Sequence, residues 1–135
     1  MDCLFCKIIN KEIPAGIFYE DAETIAFLDI APANFGHSLV MSKTHCKNIL
    51  DCSDEIMAVV AKRVKMLAPK IMAATGADGI NVTSNNEAAA GQIVMHMHWH
   101  LIPRYPNDGL LSWPKKEGIT AEQNATLLEK IHALN

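Results

Sequence analysis

Three of the six histidines of this chain stand at alternate positions of one short segment: His96, His98 and His100. If the segment is a β-strand, residues two apart share a face and lie about 6.5–7 Å from one another. The apolar residues that alternate with them then pack on the opposite face: Met97, Trp99 and Leu101. Imidazoles this close repel each other when protonated, and they titrate near neutral pH. We therefore expect the histidines to line a polar surface or the floor of a pocket that does chemistry.

Two kinds of chemistry use such a row. In one, histidine nitrogens bind a zinc ion. In the other, a neutral imidazole attacks the substrate while its neighbours orient it and protonate the leaving group. The preceding loop, residues 85–92, favours the second, because Asn85 and Gln92 can donate hydrogen bonds and Gly91 permits close backbone approach. We expect this loop to hold a phosphate beside the imidazoles; the alternative is a solvated turn.

The composition is typical of one soluble globular domain over residues 1–135. Half of the residues are hydrophobic, a fifth are charged, and the net charge is −3, which argues against a nucleic-acid partner. The longest apolar runs are too short to span a bilayer, and the N-terminal segment does not resemble a signal peptide. We therefore expect no membrane association and a cytoplasmic location, where all four cysteines stay reduced.

Strand patterns outnumber helix patterns in this chain. Residues 16–28 predict a hairpin of two short strands, and residues 37–43 predict a third strand. A fourth strand is predicted over residues 79–85, and the histidine segment is expected to pair with it across a loop. Because the connections are short, we expect a mostly antiparallel sheet and the fold class α+β.

Two helices are predicted from their capping residues. Ser53 is a candidate N-cap and Gly76 a candidate C-cap, and apolar residues recur at helical spacing between them. Pro69 lies inside this segment and is expected to kink the helix. Thr120 and Gln123 form a capping box that predicts a short helix near the C terminus.

The histidine segment "HMHWHLI" (96–102) resembles the signature of the histidine-triad (HIT) family, in which three histidines alternate with apolar residues. Three further segments, 5–21, 26–45 and 79–92, are similar to the Hint branch of that family in their order and spacing. The resemblance implies a HIT fold: a five-stranded antiparallel sheet with one long helix and short terminal helices, doubled into a homodimer. Residues from about 106 to 135 form an extension beyond the shorter members.

The resemblance also implies an activity and a role for each histidine. It implies hydrolysis of a purine nucleoside phosphoramidate, or of a related nucleotide bond, at the α-phosphorus through a nucleotidyl-histidine intermediate. His98 matches the nucleophile, His100 matches the residue that contacts the α-phosphate and leaving group, and His96 supports the row. Asn85 and Gln92 occupy the phosphate-contacting positions of the family.

A nucleoside site is implied by four further residues. Asp29 matches the acidic residue that binds the ribose hydroxyls, and a carboxylate can accept hydrogen bonds from two vicinal hydroxyls. Ile13, Phe27 and Ile30 match the apolar walls of a slot for a purine base. The alternatives are a turn role for Asp29 and plain core packing for Phe27 and Ile30.

The resemblance fails at Ile93, where many members carry a serine or threonine that can donate a hydrogen bond to the leaving group or phosphate. Loss of one transition-state donor lowers the rate by roughly 10²-fold or more. Two alternatives to a phosphoramidase therefore stay open. One is a nucleotide-binding or scaffolding protein with little turnover, and the other is a zinc-dependent hydrolase that uses the histidine row as ligands.

The N-terminal Cys3 and Cys6 predict a structural zinc site, since a CxxC motif presents two thiolates at a spacing that suits tetrahedral coordination. The set Cys3, Cys6, His45 and His96 resembles the zinc site of some microbial HIT proteins and of the related galactose-1-phosphate uridylyltransferases. Cys46 could replace His45 as a ligand, and reduced thiols on a loosely held terminus are the alternative. This zinc is not required for the chemistry.

Overall fold

Five strands form one antiparallel sheet in the computed structural model, which describes residues 2–111 and 113–135. The strands are β1 (Ile17–Glu20), β2 (Thr24–Leu28), β3 (Ser38–Ser42), β4 (Gly79–Thr83) and β5 (His98–Arg104). They lie in the order β1-β2-β3-β5-β4, so β1 and β4 are the edge strands. The predicted hairpin, the antiparallel sheet, the pairing of the histidine segment with β4 and the α+β class are confirmed.

The helices are α1 (Leu4–Ile9), α2 (Asp54–Thr75) and α3 (Ala121–Leu134), with a short 3-10 turn at Ala88–Ala90. The Ser53 hydroxyl accepts a hydrogen bond from the Ile56 amide at 3.3 Å, which satisfies one donor at the start of α2. Gly76 ends α2 in the left-handed conformation, with φ 71°, that glycine adopts readily. Both predicted caps are confirmed, and α2 continues on both sides of Pro69.

Each face of the sheet carries its own apolar cluster. On one face, Val60, Val64 and Leu67 of α2 pack with Met97 and Leu101. The other face is covered by α1, whose apolar residues pack against side chains of β2 and β3. Because successive strand residues alternate between faces, His98 and His100 point toward the α1 face, and the sequence predicts that they lie opposite Trp99 and Leu101, which pack on the α2 face.

Two expectations need correction. The histidine row is not wholly on a strand, because β5 begins at His98 and His96 precedes it in an irregular segment. The four cysteines are not all reduced, since Cys46 and Cys52 form a disulfide, whereas Cys3 and Cys6 are free. The disulfide closes the segment directly after His45 and also removes Cys46 as a candidate metal ligand.

The C-terminal helix α3 begins at the predicted capping box, where the Thr120 hydroxyl accepts from the Gln123 amide at 3.1 Å. Every residue of α3 is exposed, although four large apolar side chains recur along it: Leu127, Leu128, Ile131 and Leu134. Over the described part of the chain, none of the helices combines the length and the apolar character that crossing a membrane requires.

Candidate active site and metal centre

The histidine row is divided between two neighbouring sites. His98 and His100 line a cavity of about 470 Å³ between α1, the end of β2 and the loop before β5. His96 is fully buried, and its Nδ1 faces the sulfurs of Cys3 and Cys6 at 3.6 Å. One metal ion bound by all three histidines is therefore not compatible with the directions in which their nitrogens point.

The backbone fixes the orientation of His98. Its Nδ1 lies 2.6 Å from the carbonyl oxygen of His96, so Nδ1 carries the proton that this hydrogen bond needs. The second nitrogen, Nε2, then has an unprotonated lone pair. The Phe5 ring packs edge-on against the imidazole, with centroids 4.9 Å apart, and burial lowers the pKa of His98 below its usual value. At neutral pH the imidazole is therefore uncharged and can act as a nucleophile.

His100 is oriented by a residue that the sequence analysis did not single out, His37. The Nδ1 of His37 accepts a hydrogen bond from the Ala33 amide at 2.9 Å, so its Nε2 carries the proton. This Nε2 lies 2.9 Å from Nδ1 of His100, which must then accept. In its neutral form His100 is left with a proton on Nε2. Burial and the neighbouring His98 and His37 lower the pKa of His100 to about 4.

The contacts of Asp29 are compatible with both roles that the sequence leaves open, ribose binding and a local turn. Its Oδ1 accepts a hydrogen bond from the Ala31 amide at 2.9 Å, as in a local turn. Its Oδ2 lies 3.5 Å from Nε2 of His37, and the residue lines the cavity. The turn contact therefore leaves the second oxygen accessible from the cavity.

The three predicted base-slot residues line the cavity in different ways. Phe27 is nearly buried and packs edge-on against Phe5 at 5.6 Å, so it belongs to the core as well as to the wall. Ile13 is half-buried, whereas Ile30 is 94% exposed and contributes nothing to the core. Core packing therefore accounts for Phe27 and leaves the position of Ile30 unexplained by folding.

Gln92 does not point into the cavity. Its Nε2 donates to the carbonyl oxygens of Lys47 and Val94 at 2.7 and 3.1 Å. Its Oε1 accepts from the Asn48 side chain at 3.0 Å and from the Glu87 amide at 2.9 Å. The amide is thus fully engaged within the protein, and the expected phosphate contact of this side chain is corrected to an anchoring role for the loop.

The rest of that loop does border the cavity. Asn85, Gly91 and Ile93 are among its lining residues. Gly91 has φ +86°, a left-handed backbone conformation that glycine adopts readily, so the glycine keeps the turn beside Asn85. Ile93 is 91% exposed, and its side chain offers apolar surface where a hydroxyl is usual in the family.

The predicted zinc ligands converge in the structure. Ligand atoms of Cys3, Cys6, His45 and His96 all lie within 4.8 Å of one another. The Cys6 sulfur lies 3.4 Å from Nδ1 of His45 and 3.6 Å from Nδ1 of His96. Tetrahedral zinc, with bonds of about 2.3 Å to sulfur and about 2.0–2.1 Å to nitrogen, holds a bound sulfur and a bound nitrogen about 3.5–3.6 Å apart. The donor set and its spacing fit a zinc ion.

A backbone contact also favours metal binding by His96. Its Nε2 lies 2.8 Å from the Ser42 carbonyl oxygen, so Nε2 carries the proton and Nδ1 presents its lone pair to the two sulfurs. Burial, together with the neighbouring Cys3, raises the pKa of the Cys6 thiol to about 11. A cation among these sulfurs would favour the thiolate form.

Sequence reasoning missed residues that act across long sequence separations. His37 is the first residue of the predicted third strand, but only the pairing of β3 with β5 brings it to His100. Phe5 reaches His98 because α1 folds over the sheet. Asn48 anchors Gln92 from 44 positions away. The one signal available for His37 was that it is a histidine in a segment that resembles the family.

The comparisons with known proteins identify the family to which this fold belongs. The HIT domain family model matches residues 10–107. The adenosine 5'-monophosphoramidase of Schizosaccharomyces pombe is 41% identical over 134 residues, which is 97% of this chain and 96% of that protein. The chain belongs to the HIT family, in its Hint-like branch.

Solved structures agree with this assignment. A HIT family protein from Bacillus anthracis superposes with a TM-score of 0.86 and 36% identity, covering 99% of this chain and 97% of that one. A zinc-bound histidine triad family protein from Mycobacterium smegmatis superposes with a TM-score of 0.78 and 32% identity, covering 100% and 99%. The HIT fold is therefore shared along nearly the whole chain.

Proposed function

We propose that this protein hydrolyses a purine nucleoside phosphoramidate, or a related nucleotide conjugate, at the α-phosphorus, with His98 as the nucleophile. The observation that carries the proposal is the 2.6 Å hydrogen bond from Nδ1 of His98 to the His96 carbonyl oxygen, which leaves Nε2 unprotonated in the cavity. The name of the S. pombe relative, an adenosine 5'-monophosphoramidase, supports the substrate class.

In the proposed reaction, Nε2 of His98 attacks phosphorus and the P–N bond breaks, with its electron pair going to the nitrogen. The leaving nitrogen accepts a hydrogen bond from Nε2 of His100, which stays neutral, and takes up its proton from solvent. The His96 carbonyl oxygen stabilises the positive charge that develops on the His98 ring. Water then attacks phosphorus and passes a proton to solvent, and the bond between phosphorus and Nε2 of His98 breaks with its electron pair returning to Nε2, which releases the nucleoside monophosphate and free His98.

Substrate binding is assigned to both ends of the cavity. We propose that Oδ2 of Asp29 accepts from the ribose hydroxyls, because Oδ1 is engaged by the Ala31 amide. Ile13, Phe27 and Ile30 enclose the base. The Asn85 amide and the backbone around Gly91 hold the phosphate, since the side chain of Gln92 is engaged elsewhere.

The test is turnover of adenosine 5'-phosphoramidate by the zinc-loaded protein. His98→Ala should reduce kcat by several orders of magnitude and still bind nucleoside monophosphate. His132→Ala, which alters an exposed histidine in α3, should leave kcat unchanged. Near-normal turnover in His98→Ala would reject the assignment of the nucleophile.

The second candidate is a nucleotide-binding protein with little turnover, and Ile93 is the observation that favours it. Tight nucleotide binding by the wild type without measurable hydrolysis would select this candidate. A zinc-dependent reaction makes a different prediction. If the reaction required zinc, removal of the metal from a still-folded protein would abolish turnover, whereas a reaction at His98 that needs no metal would continue.

We also propose that Cys3, Cys6, His45 and His96 bind a structural zinc ion that ties the N-terminal segment to the start of β5. Elemental analysis should find close to one zinc per chain. Cys3→Ser should lower the zinc content and the melting temperature, whereas Cys52→Ser should leave the zinc content unchanged. A wild-type protein purified without chelators that holds no zinc would reject the site.

A homodimer is proposed from the edge strand β4. Its backbone has an unpaired side in the single chain, and Val82 on it is 38% exposed. Pairing two β4 strands about a twofold axis would continue the sheet across both copies. Light scattering should give about twice the chain mass of 14.8 kDa, and Val82→Lys should shift the protein toward monomer. A monomeric wild type at micromolar concentration would refute it.

A further inference from the structure

The cavity lined by His98 and His100, here called the catalytic cavity, has an apolar opening although the proposed substrate carries a phosphate group. Four large aliphatic side chains line it and remain exposed, with exposed fractions of 44% for Leu4, 49% for Leu28, 94% for Ile30 and 91% for Ile93. Apart from the histidines, Asp29 is the one ionisable residue among the described residues that line it. Such a mouth suits a ligand with apolar surface at the point where it leaves the cavity.

Two of these four side chains, Leu4 and Ile93, lie between the catalytic cavity and a second, neighbouring cavity. Leu4, Ile93 and Val94 line the catalytic cavity and also a neighbouring one of about 400 Å³ that extends toward Met95. The proposed nucleoside contacts, in contrast, come from the segment that includes Asp29 and Ile30. A substrate whose nucleoside occupies that segment has its phosphorus at His98 and can extend its other substituent across Ile93.

We infer that Leu4, Ile93 and Val94 form a subsite for the leaving group, and that the preferred leaving group is an amine with an uncharged, apolar side chain. This inference rests on the proposed phosphoramidate hydrolysis and specifies its substrate class. An apolar substituent there covers the exposed side chain of Ile93, and removal of that surface from water stabilises the complex.

A charged amine is disfavoured by the same surroundings. The acidic residue of the neighbouring cavity is Asp2, which already forms an ion pair with Lys7 at 2.7 Å. A lysine-like leaving group would therefore bring its ammonium group against Leu4, Ile93 and Val94, next to the proposed zinc ligands Cys3 and His45, without a matched carboxylate. Loss of hydration without a new partner is unfavourable for a charged group.

The test compares two adenosine 5'-phosphoramidates, one unsubstituted and one carrying 2-phenylethylamine. In the wild type, kcat/KM should favour the phenylethyl conjugate by about 10-fold or more, as apolar pockets do for added hydrocarbon. Ile93→Ala should bring the ratio of the two kcat/KM values close to one. Ile93→Ser should do the same, and the serine–alanine comparison separates the lost apolar contact from a gained hydroxyl donor.

Leu134→Ser is the matched control, because Leu134 is 87% exposed on α3 and lines neither cavity. Its ratio should equal that of the wild type. Equal kcat/KM values for both conjugates in the wild type, or an unchanged ratio in Ile93→Ala, would overturn the subsite and leave the proposed hydrolysis intact.

Absence of turnover on both conjugates would reject the hydrolysis, and binding then decides the subsite. In His98→Ala, the phenylethyl conjugate should bind about 10-fold more tightly than the unsubstituted one, and this difference should disappear in the double variant with Ile93→Ala. Equal affinities in His98→Ala would overturn the subsite independently of any activity.

Discussion

Among single residues, the direction of each hydrogen bond decides which imidazole nitrogen can react. His37 is a positioning residue, because the Ala33 amide fixes its protonated nitrogen and that nitrogen in turn donates to His100. These two hydrogen bonds place the proton of neutral His100 on Nε2, the nitrogen that does not contact His37. His37, which lies far from the signature segment in the sequence, therefore sets the tautomer of His100 within that segment.

Replacing His37 should separate kcat from KM. His37→Leu removes the donor that fixes the tautomer of His100, and we expect kcat to fall by about 10²-fold, in the range typical of lost acid–base assistance. KM should change far less, and His37→Gln, which can still donate, should recover part of kcat. Equal losses of kcat in the leucine and glutamine variants would contradict the tautomer role.

The pH dependence follows from the buried imidazoles. Burial lowers the pKa values of His98 and His100, the latter to about 4, so both are neutral at pH 7. The neutral form is the reactive one, and kcat/KM should therefore be flat near pH 7 and fall only as the pH drops below 6.5. A pH–rate profile that declines between pH 8 and 7 toward acid would contradict neutral imidazoles of lowered pKa.

The loop that precedes β5 depends on one buried amide. Gln92 bonds the segment around Asn48 to the turn at Glu87, so it couples two loops that are distant in the sequence. Gln92→Ala leaves these groups without partners, and we expect the free energy of unfolding to fall by about 1–3 kcal/mol. Asn124→Ala, at an exposed amide of α3, is the control and should change stability little. Urea unfolding measures both, and equal stability of Gln92→Ala and the wild type would contradict the anchoring role.

The elements themselves were largely predictable, because local signals specify them. The caps at Ser53, Gly76 and Thr120 are local hydrogen-bond or backbone signals, and the structure places helix ends at each of them. The start of β5 was not predictable to the residue, since the His96 side chain faces two cysteines that lie 93 and 90 positions earlier. A strand pattern alone cannot reveal that competing contact.

For the whole molecule, the sequence patterns predict the antiparallel sheet, and the CxxC motif together with the resemblance to the HIT family predicts the grouping of the four candidate zinc ligands. The sequence analysis did not identify contacts that depend on strand order. The proximity of His37 to His100 requires β3 to pair with β5, and the engagement of Gln92 requires the Asn48 loop to fold beneath it. The Cys46–Cys52 disulfide likewise depends on the path of the chain between them.

The central claim is that His98 becomes covalently nucleotidylated during turnover. Mass spectrometry of zinc-loaded protein, quenched with alkaline denaturant within the first turnover of adenosine 5'-phosphoramidate, tests it most directly. We predict one adenylyl group per chain, mapped to His98, present in His132→Ala and absent from His98→Ala. Release of adenosine monophosphate at the full rate with no adduct in the wild type, or an adduct on another residue, would contradict the claim.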